Sequence, residues 1–205
     1  MTENRISFLA RLTPFLAPSE VRRVELAYIL AKEAHNKDVR KEVDELGAPI
    51  RYFEHARHVA IILIDEAGCM NADEICAALL HDTLEDTHLS AEIIEQFLGS
   101  RVCRMVLQLS KLPKEGYYER LLARSSWQVM RIKMCDRLHN LRTLPLDDSA
   151  FVTKQFSETR REFTPLFERC SRLIPESCRP TFDAFTKIFW GQNDSLTPIV
   201  AQHAA

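Results

Sequence analysis

Residues 72–87 read ADEICAALLHDTLEDT, and this stretch decides how the rest of the chain is interpreted. Its first half is apolar, which predicts a helix buried in the core. Its second half places one imidazole and three carboxylates on a short arc, because side chains four positions apart share one side of a helix. These four side chains belong to His81, Asp82, Glu85 and Asp86. Burying them costs several kcal/mol unless a cation or hydrogen bonds compensate, so the stretch predicts a divalent metal site.

The alternative interpretation of this acidic cluster is a solvated helix face that carries an unimportant histidine. A random acidic patch is most often of that kind. Here the run AALL at 77–80 stands directly before the cluster and predicts burial. We therefore prefer the metal site.

Two further segments contain side chains that would complete such a site. Asp136 lies in IKMCDRLHNLRTL, residues 132–144, whose apolar positions predict a largely buried helix. His55 lies in RYFEHARHVAIIL, residues 51–63, near the start of another apolar helix, and His58 one turn later is a competing ligand. Singly, each is more often a core or surface residue. The order His, His-Asp, Asp at the polar ends of apolar helices favours one shared metal.

The whole chain is predicted to be all-α, a single-domain bundle of about nine helices with no confident strand. Residues 1–190 are predicted to form the domain, and residues 191–205 a flexible C-terminal tail. The polar stretch 36–50 is interpreted as a long loop, in which KEVDEL at 41–46 has the alternative of a short helical turn. The stretch ADEICAALLHDTLEDT is predicted to be one continuous helix.

Four residues at the predicted helix ends have the chemistry that helix termini need. Ser19, Asn71 and Ser90 each precede an apolar periodic segment, and their side-chain oxygens can accept hydrogen bonds from the first free backbone N–H groups. Gly99 follows a short amphipathic segment and predicts its end.

The composition excludes several classes of function. A formal net charge of −2 gives no basic field to hold nucleic acid by its backbone, so no nucleic-acid partner is expected. No apolar run approaches the ~20 residues needed to cross a bilayer, and the N-terminus does not resemble a signal peptide. The six cysteines include no C-x-x-C pair and read as reduced core thiols. A cytoplasmic protein without a membrane partner is the expectation, and a homo-oligomer is left open.

The series H…HD…D resembles the signature of the HD superfamily of metal-dependent phosphohydrolases. The likeness is strongest to the hydrolase domain of RelA/SpoT-type alarmone enzymes and the stand-alone small alarmone hydrolases. It covers roughly residues 20–170 and is carried by AYILAKEAH (27–35), RYFEHARHVA (51–60), AALLHDTLEDT (77–87), LSKL (109–112), YYERL (117–121), IKMCDRLHNLRTL (132–144) and ETRREFTPLF (158–167). Members of this family are all-helical and typically use manganese.

The resemblance implies a role for each matching residue. The metal ligands would be His55, His81, Asp82 and Asp136, with Mn2+ as the ion and another divalent transition metal as the alternative. Glu85 and Asp86 would act in catalysis, one of them accepting the proton of a water that the cation activates. The substrate-binding residues would be Arg40, Lys41, Lys111, Asn140 and Arg160.

The expected activity is hydrolysis of guanosine-3′,5′-bis(diphosphate), (p)ppGpp, or the related adenine alarmone, with release of pyrophosphate from the 3′ position. The sequence leaves the choice between guanine and adenine open, as well as control by a toxin or regulatory partner. One alternative is another HD-type nucleotidase. The other is a non-catalytic nucleotide-binding regulatory module, which predicts loss of a ligand or of the Glu85–Asp86 pair, and the sequence retains both.

Overall fold

A computed structural model of the chain describes residues 4–43 and 47–203, without the side chains of 41–43 and 202–203. The predicted all-α class is confirmed, with one small hairpin added to the helices. The elements are α1 (Arg5–Ala10), α2 (Pro18–Ala34), β1 (Val39–Val43), β2 (Pro49–Arg51), α3 (Tyr52–Asp65), α4 (Ala72–Leu79), α5 (Thr83–Asp86), α6 (Ala91–Leu98), α7 (Ser100–Leu109), α8 (Tyr117–Arg124), α9 (Trp127–Arg142), α10 (Ser149–Leu173), a 3₁₀ turn (Glu176–Cys178), α11 (Arg179–Asp194) and α12 (Thr197–His203).

Helix α9 lies at the centre of the fold and is buried along almost its whole length. It packs against α3 on one side and α10 on another, with smaller contacts to α4, α7 and α11. A helix surrounded in this way buries its polar residues together with its apolar ones. Lys133, Asp136 and His139 of α9 are all buried, and each must find a partner inside the protein.

The structure confirms three of the four predicted helix-end residues. The Asn71 side chain accepts hydrogen bonds from the backbone N–H groups of Asp73 and Glu74, and Ser90 accepts one from Ile93. Gly99 ends α6 with a φ of 91°, a conformation that favours glycine. The prediction for Ser19 is wrong, because α2 begins one residue earlier.

The beginning of α2 is set by a proline instead of by a serine cap. Pro18 is the first helical residue, and Ala17 precedes it as the N-cap. Proline suits this position because its fixed φ is helical and its missing N–H has no partner there. The Glu20 carboxylate accepts a hydrogen bond from the Ala17 backbone N–H at 2.9 Å.

The stretch 72–87 is two helices, and the prediction of one continuous helix is wrong. Helix α4 ends at Leu79, and α5 begins at Thr83. Two side chains bind the carbonyl groups at the break: His81 Nδ1 lies 2.8 Å from the Ala78 oxygen, and the Thr83 hydroxyl donates to the Leu80 oxygen at 2.8 Å. Such local side-chain bonds compete with the helical backbone bonds and turn the chain.

The predicted loop at 36–50 contains the antiparallel pair β1 and β2, so the expectation of no strand is wrong. Val39 pairs with Arg51, and Val43 pairs with Pro49. The strands are too short and too polar to show an alternating pattern in the sequence. Within KEVDEL, residues 41–43 belong to β1, and residues 44–46 lie outside the described part of the chain.

The C-terminal segment differs from the flexible tail that the sequence predicts. Helix α11 continues to Asp194, and α12 follows at Thr197–His203 and packs against α10. Leu196 is buried between them, and Ile199 packs against the core. Burial of these two apolar side chains explains why the chain stays helical here. In residues 4–43 and 47–203, no helix has both the length and the apolar character needed to cross a membrane.

Candidate metal centre

Four polar side chains meet at the junction of α3, α4 and α9. One ligand atom from each of His55, His81 and Asp82 lies within 4.8 Å of the others. Asp136 adds Oδ1, which is 3.1 Å from His55 Nε2 and 3.7 Å from His81 Nε2. All four residues are buried. The structure thus brings together the four residues that the sequence predicts as metal ligands.

The His81 ring is oriented by the helix break. Its Nδ1 lies 2.8 Å from the Ala78 carbonyl oxygen, which can only accept, so Nδ1 carries the hydrogen. Its Nε2 points into the cluster, 2.9 Å from Asp82 Oδ2, and has no hydrogen-bond partner among the described residues. Burial lowers the pKa of His81, but the Asp82 and Asp136 carboxylates together raise it to about 10. This Nε2 therefore requires a cation, either a proton or a metal ion.

Asp136 is oriented by two neighbours on its own helix. The Lys133 ammonium donates to its Oδ2 at 2.7 Å, and the Asn140 amide donates to its Oδ1 at 2.8 Å. Burial opposes ionisation, but the adjacent Lys133 keeps the pKa of Asp136 well below its usual range. The Asp136 carboxylate is therefore ionised and directs Oδ1 toward the two histidines.

Asp82 is oriented from α3. The Tyr52 hydroxyl donates to Asp82 Oδ2 at 2.6 Å. Burial and the neighbouring Asp82 carboxylate raise the pKa of Tyr52, so its hydroxyl keeps the proton that it donates. The Tyr52 ring also stacks on His35, with 4.7 Å between centroids.

The arrangement fits a divalent cation. His55 Nε2, His81 Nε2, Asp82 Oδ2 and Asp136 Oδ1 converge, and a metal ion bound here would replace the proton that the raised pKa of His81 places on its Nε2. Lone-pair atoms this close repel one another unless a positive charge lies between them. Two carboxylates with one buried ammonium also leave one negative charge, which a proton on His81 or a metal ion must compensate. Histidine nitrogen with carboxylate oxygen is a donor set that suits manganese, iron, cobalt or zinc.

A cavity of about 530 Å³ opens beside the cluster. Its lining combines the predicted ligands with cations, an amide and apolar side chains: Val39, Arg40, Tyr52, His55, Asp82, Lys111, Asp136, Asn140, Pro145 and Phe151. The volume lies in the range of small-molecule sites, and the mixture of cations with apolar groups suits a phosphorylated molecule with a flat ring.

The structure separates the two acids that the sequence pairs as catalytic. The Glu85 side chain lies next to the cavity residue Lys111, whose backbone N–H donates to Glu85 Oε1 at 2.7 Å. Burial raises the pKa of Glu85, against the lowering effect of Lys111. Asp86 is exposed and lines a different groove, together with Asp38 and His88. Glu85 and Asp86 are adjacent on α5, and neighbouring side chains on a helix point about 100° apart, so only one of them can face the cavity.

The predicted substrate-binding residues also separate into two groups. Arg40, Lys111 and Asn140 line the cavity, and Arg40 Nη2 lies 3.4 Å from Asn140 Oδ1. The side chain of Lys41 lies outside the described part of the chain.

Arg160 belongs elsewhere, and its predicted place at the site is a correction. It is exposed, pairs with Asp194, and lies over the rings of Phe156 and Trp190. It is absent from the lining of the 530 Å³ cavity. A 25-residue helix presents residues on all of its sides, and sequence spacing alone did not show which side of α10 faces the site.

Sequence reasoning missed two residues that contact the predicted ligands. Lys133 stands three positions before Asp136, and a basic residue at that spacing inside an apolar helix was an available signal. Tyr52 is 30 positions from Asp82, and no local pattern joins them.

Comparisons with known proteins identify a family and several relatives of this chain. The family described as the HD domain matches residues 27–170. The chain is 35% identical over 161 residues to the guanosine-3′,5′-bis(diphosphate) 3′-pyrophosphohydrolase of Aquifex aeolicus, which covers 74% of this chain and 22% of that protein. It is 32% identical over 142 residues to the bifunctional (p)ppGpp synthase/hydrolase SpoT of Escherichia coli, covering 63% of this chain and 19% of that protein. The chain thus spans about a fifth of the length of these relatives.

A solved structure is similar over most of the fold. It is that of a metazoan ortholog of SpoT that hydrolyzes ppGpp and plays a role in starvation responses. The TM-score is 0.61 at 25% sequence identity, and the match covers 83% of this chain and 95% of that one.

Proposed function

Because the chain belongs to the HD domain family, we propose that it is a metal-dependent hydrolase of a purine nucleotide with a 3′-diphosphate, (p)ppGpp or its adenine counterpart. The observation that carries this proposal is the convergence of four buried donor atoms beside a cavity that also presents two cations. The relatives named for (p)ppGpp hydrolysis, and the ppGpp-hydrolyzing structural neighbour, support this substrate class.

We propose His55, His81, Asp82 and Asp136 as the residues that hold the metal, and Mn2+ as the ion. When bound, the cation would supply the positive charge that activates a water molecule and offsets the charge of the phosphoryl oxygens. Lys133 binds Oδ2 of Asp136, and Tyr52 binds Oδ2 of Asp82, so both carboxylates are fixed in orientation. The choice of manganese follows the family resemblance, since the donor set also suits other transition metals.

The reaction breaks the bond between the 3′ oxygen and its phosphorus, and the oxygen of water bonds to that phosphorus. The 3′ oxygen leaves with a proton. The products are pyrophosphate and a nucleotide that has a free 3′ hydroxyl and keeps its 5′ phosphates. We propose that Glu85 accepts the proton of the attacking water, because its carboxylate is partly buried and its pKa is raised toward neutrality. Asp86 stays a prediction as its catalytic partner.

The cavity residues suit the remaining parts of such a substrate. Arg40 and Lys111 would bind phosphate oxygens, and Asn140 would contact the sugar. The exposed apolar side chains of Val39 and Phe151, 58% and 39% accessible, lie at the mouth of the cavity, where a purine ring would cover them.

The experiment is product analysis by ion-exchange chromatography after incubation of the full chain with ppGpp and, separately, ppApp, with and without Mn2+. The expected result is manganese-dependent release of intact pyrophosphate, and the faster substrate identifies the preferred base. Release of orthophosphate instead would favour a different nucleotidase. No turnover with manganese bound would contradict the proposed substrate, and no turnover without any manganese binding would favour a regulatory module.

A further inference from the structure

His139 is a buried histidine next to the cluster to which the proposed function assigns no role. It lies on α9, three positions after Asp136, and is 8% exposed. Its Nδ1 is 2.9 Å from the Nδ1 of His55, and the two ring centroids are 4.8 Å apart. A buried polar contact of this kind needs one hydrogen between its two nitrogens.

Where that hydrogen sits decides what His55 can do. If His55 Nδ1 carries it, His139 Nδ1 accepts, and the Nε2 of a neutral His55 keeps a lone pair directed at Asp82 and Asp136. If His139 Nδ1 carries it, the hydrogen of a neutral His55 is on Nε2, and that nitrogen cannot bind a metal. The hydrogen bond made by the ring nitrogen that does not bind the metal therefore selects the tautomer of a ligand histidine.

We propose that His139 is a positioning residue that accepts the Nδ1 hydrogen of His55 and thereby presents His55 Nε2 to the metal. This inference rests on the proposed metal centre. It completes a pattern that His81 already shows, since the Ala78 carbonyl fixes the Nδ1 hydrogen of that ring. The two histidines thus have different acceptors, a backbone oxygen for His81 and an imidazole for His55.

The surroundings of His139 hold its ring in place. The ring of His58 stacks on it nearly in parallel, with centroids 5.2 Å apart and an interplanar angle of 15°. Its backbone is fixed at the end of α9, where the Thr143 N–H and hydroxyl both donate to the His139 carbonyl oxygen at 3.1 Å. An acceptor held on both sides in this way can orient a ligand ring without moving itself.

The direct test is a long-range 1H–15N NMR spectrum of the full chain with 15N-labelled histidine, loaded with Zn2+ as a diamagnetic probe. The expected spectrum has a hydrogen on His55 Nδ1 and none on His139 Nδ1. A hydrogen on His139 Nδ1 would overturn the proposal. Failure of the wild-type protein to bind zinc or manganese at all would instead overturn the metal centre itself, so the two failures are distinguishable.

A pair of variants measures the consequence for metal binding. In His139→Asn the side-chain oxygen occupies nearly the position of Nδ1 and can still accept, whereas His139→Leu has a similar size and no acceptor. By calorimetric titration with Zn2+, we expect the leucine variant to bind roughly 10- to 100-fold more weakly and the asparagine variant to stay within about threefold of wild type. Equal affinity of the leucine variant and wild type would contradict the inference. If the leucine variant does not fold, the wild-type NMR spectrum decides.

Discussion

Two of the groups of buried charged side chains on helix α9 differ in how completely they are paired. Near its beginning, the Arg131 guanidinium binds the Glu74 carboxylate and donates to the Ala67 carbonyl oxygen at 3.1 Å. Its charge also lies over the Trp127 ring, 4.6 Å from the centroid. One positive and one negative charge balance there. Further along the helix, Lys133 balances Asp136, whereas the charge of Asp82 is balanced when His81 Nε2 holds a proton or when a metal ion is bound.

The comparison shows that a buried charge does not by itself indicate function. Both groups are buried to a similar degree, and both would be costly if one partner were removed. They differ in whether protein side chains alone complete the charge balance. The Arg131 pair needs nothing from outside, whereas the cluster at Asp136 directs several lone pairs at one another and needs a cation.

The largest effect is expected from a substitution in the incomplete cluster at Asp82 and Asp136. Asp82→Asn keeps the shape of the side chain and removes one negative charge from the four proposed ligands. Turnover should fall at least about 10³-fold, since the charge that a metal supplies to a phosphoryl transition state is worth several kcal/mol. Pyrophosphate release measures this loss, and the rise in Tm that manganese gives the wild type should vanish. Wild-type activity in this variant would contradict the proposed centre.

A substitution in the complete Arg131–Glu74 pair should lower the stability of the protein and leave metal binding unchanged. Glu74→Gln leaves a permanent cation buried without its counter-charge, so the free energy of unfolding should fall by about 3–5 kcal/mol. Urea denaturation in the presence of EDTA measures this loss separately from any metal.

The matched control for that prediction is the double variant Glu74→Leu with Arg131→Met, which should recover much of the lost stability. The affinity for manganese should match that of wild type in each variant that folds. A tenfold change in that affinity would mean that the two groups on α9 are not independent.

Glu85 tests the catalytic step beside the incomplete cluster. Glu85→Gln should lower kcat by roughly 10²- to 10⁴-fold while the affinity for manganese stays the same. Burial raises the pKa of Glu85, and a base must be unprotonated, so wild-type kcat should decline as the pH falls through a value above that of an ordinary glutamate. That decline should be missing from the residual activity of the variant. Loss of manganese binding would identify Glu85 as a ligand.

The smallest effect is expected at Arg160, far from both groups. Because its guanidinium is exposed and pairs with Asp194, Arg160→Ala should leave KM within about twofold of wild type. Lys111→Met is the matched comparison, since Lys111 lines the cavity, and its KM should rise roughly tenfold. A large rise in KM for Arg160→Ala would restore the residue to the substrate site.

The four residues of the cluster could be predicted because each stands at the polar end of an apolar helix. Burial of His81, Asp82 and Asp136 follows from the aliphatic residues next to them. A buried acid indicates a functional site, because it needs a compensating cation. The caps at Asn71 and Ser90 follow from equally local chemistry. The strands at 39–51 could not be predicted, since their polar residues hide the alternation that identifies a strand.

The sequence by itself therefore determined the helical class, the chemical nature of the clustered side chains and the segments that supply them, because these depend on neighbours within a few positions. Only the tertiary structure decided which partner each of these side chains has. Tyr52 reaches Asp82 across 30 positions, and His139 reaches His55 across 84. Contacts at such separations depend on how α3 packs against α4 and α9, and no local spacing contains that information. The contact between Glu85 and the Lys111 backbone N–H, 26 positions away, depends on tertiary packing in the same way.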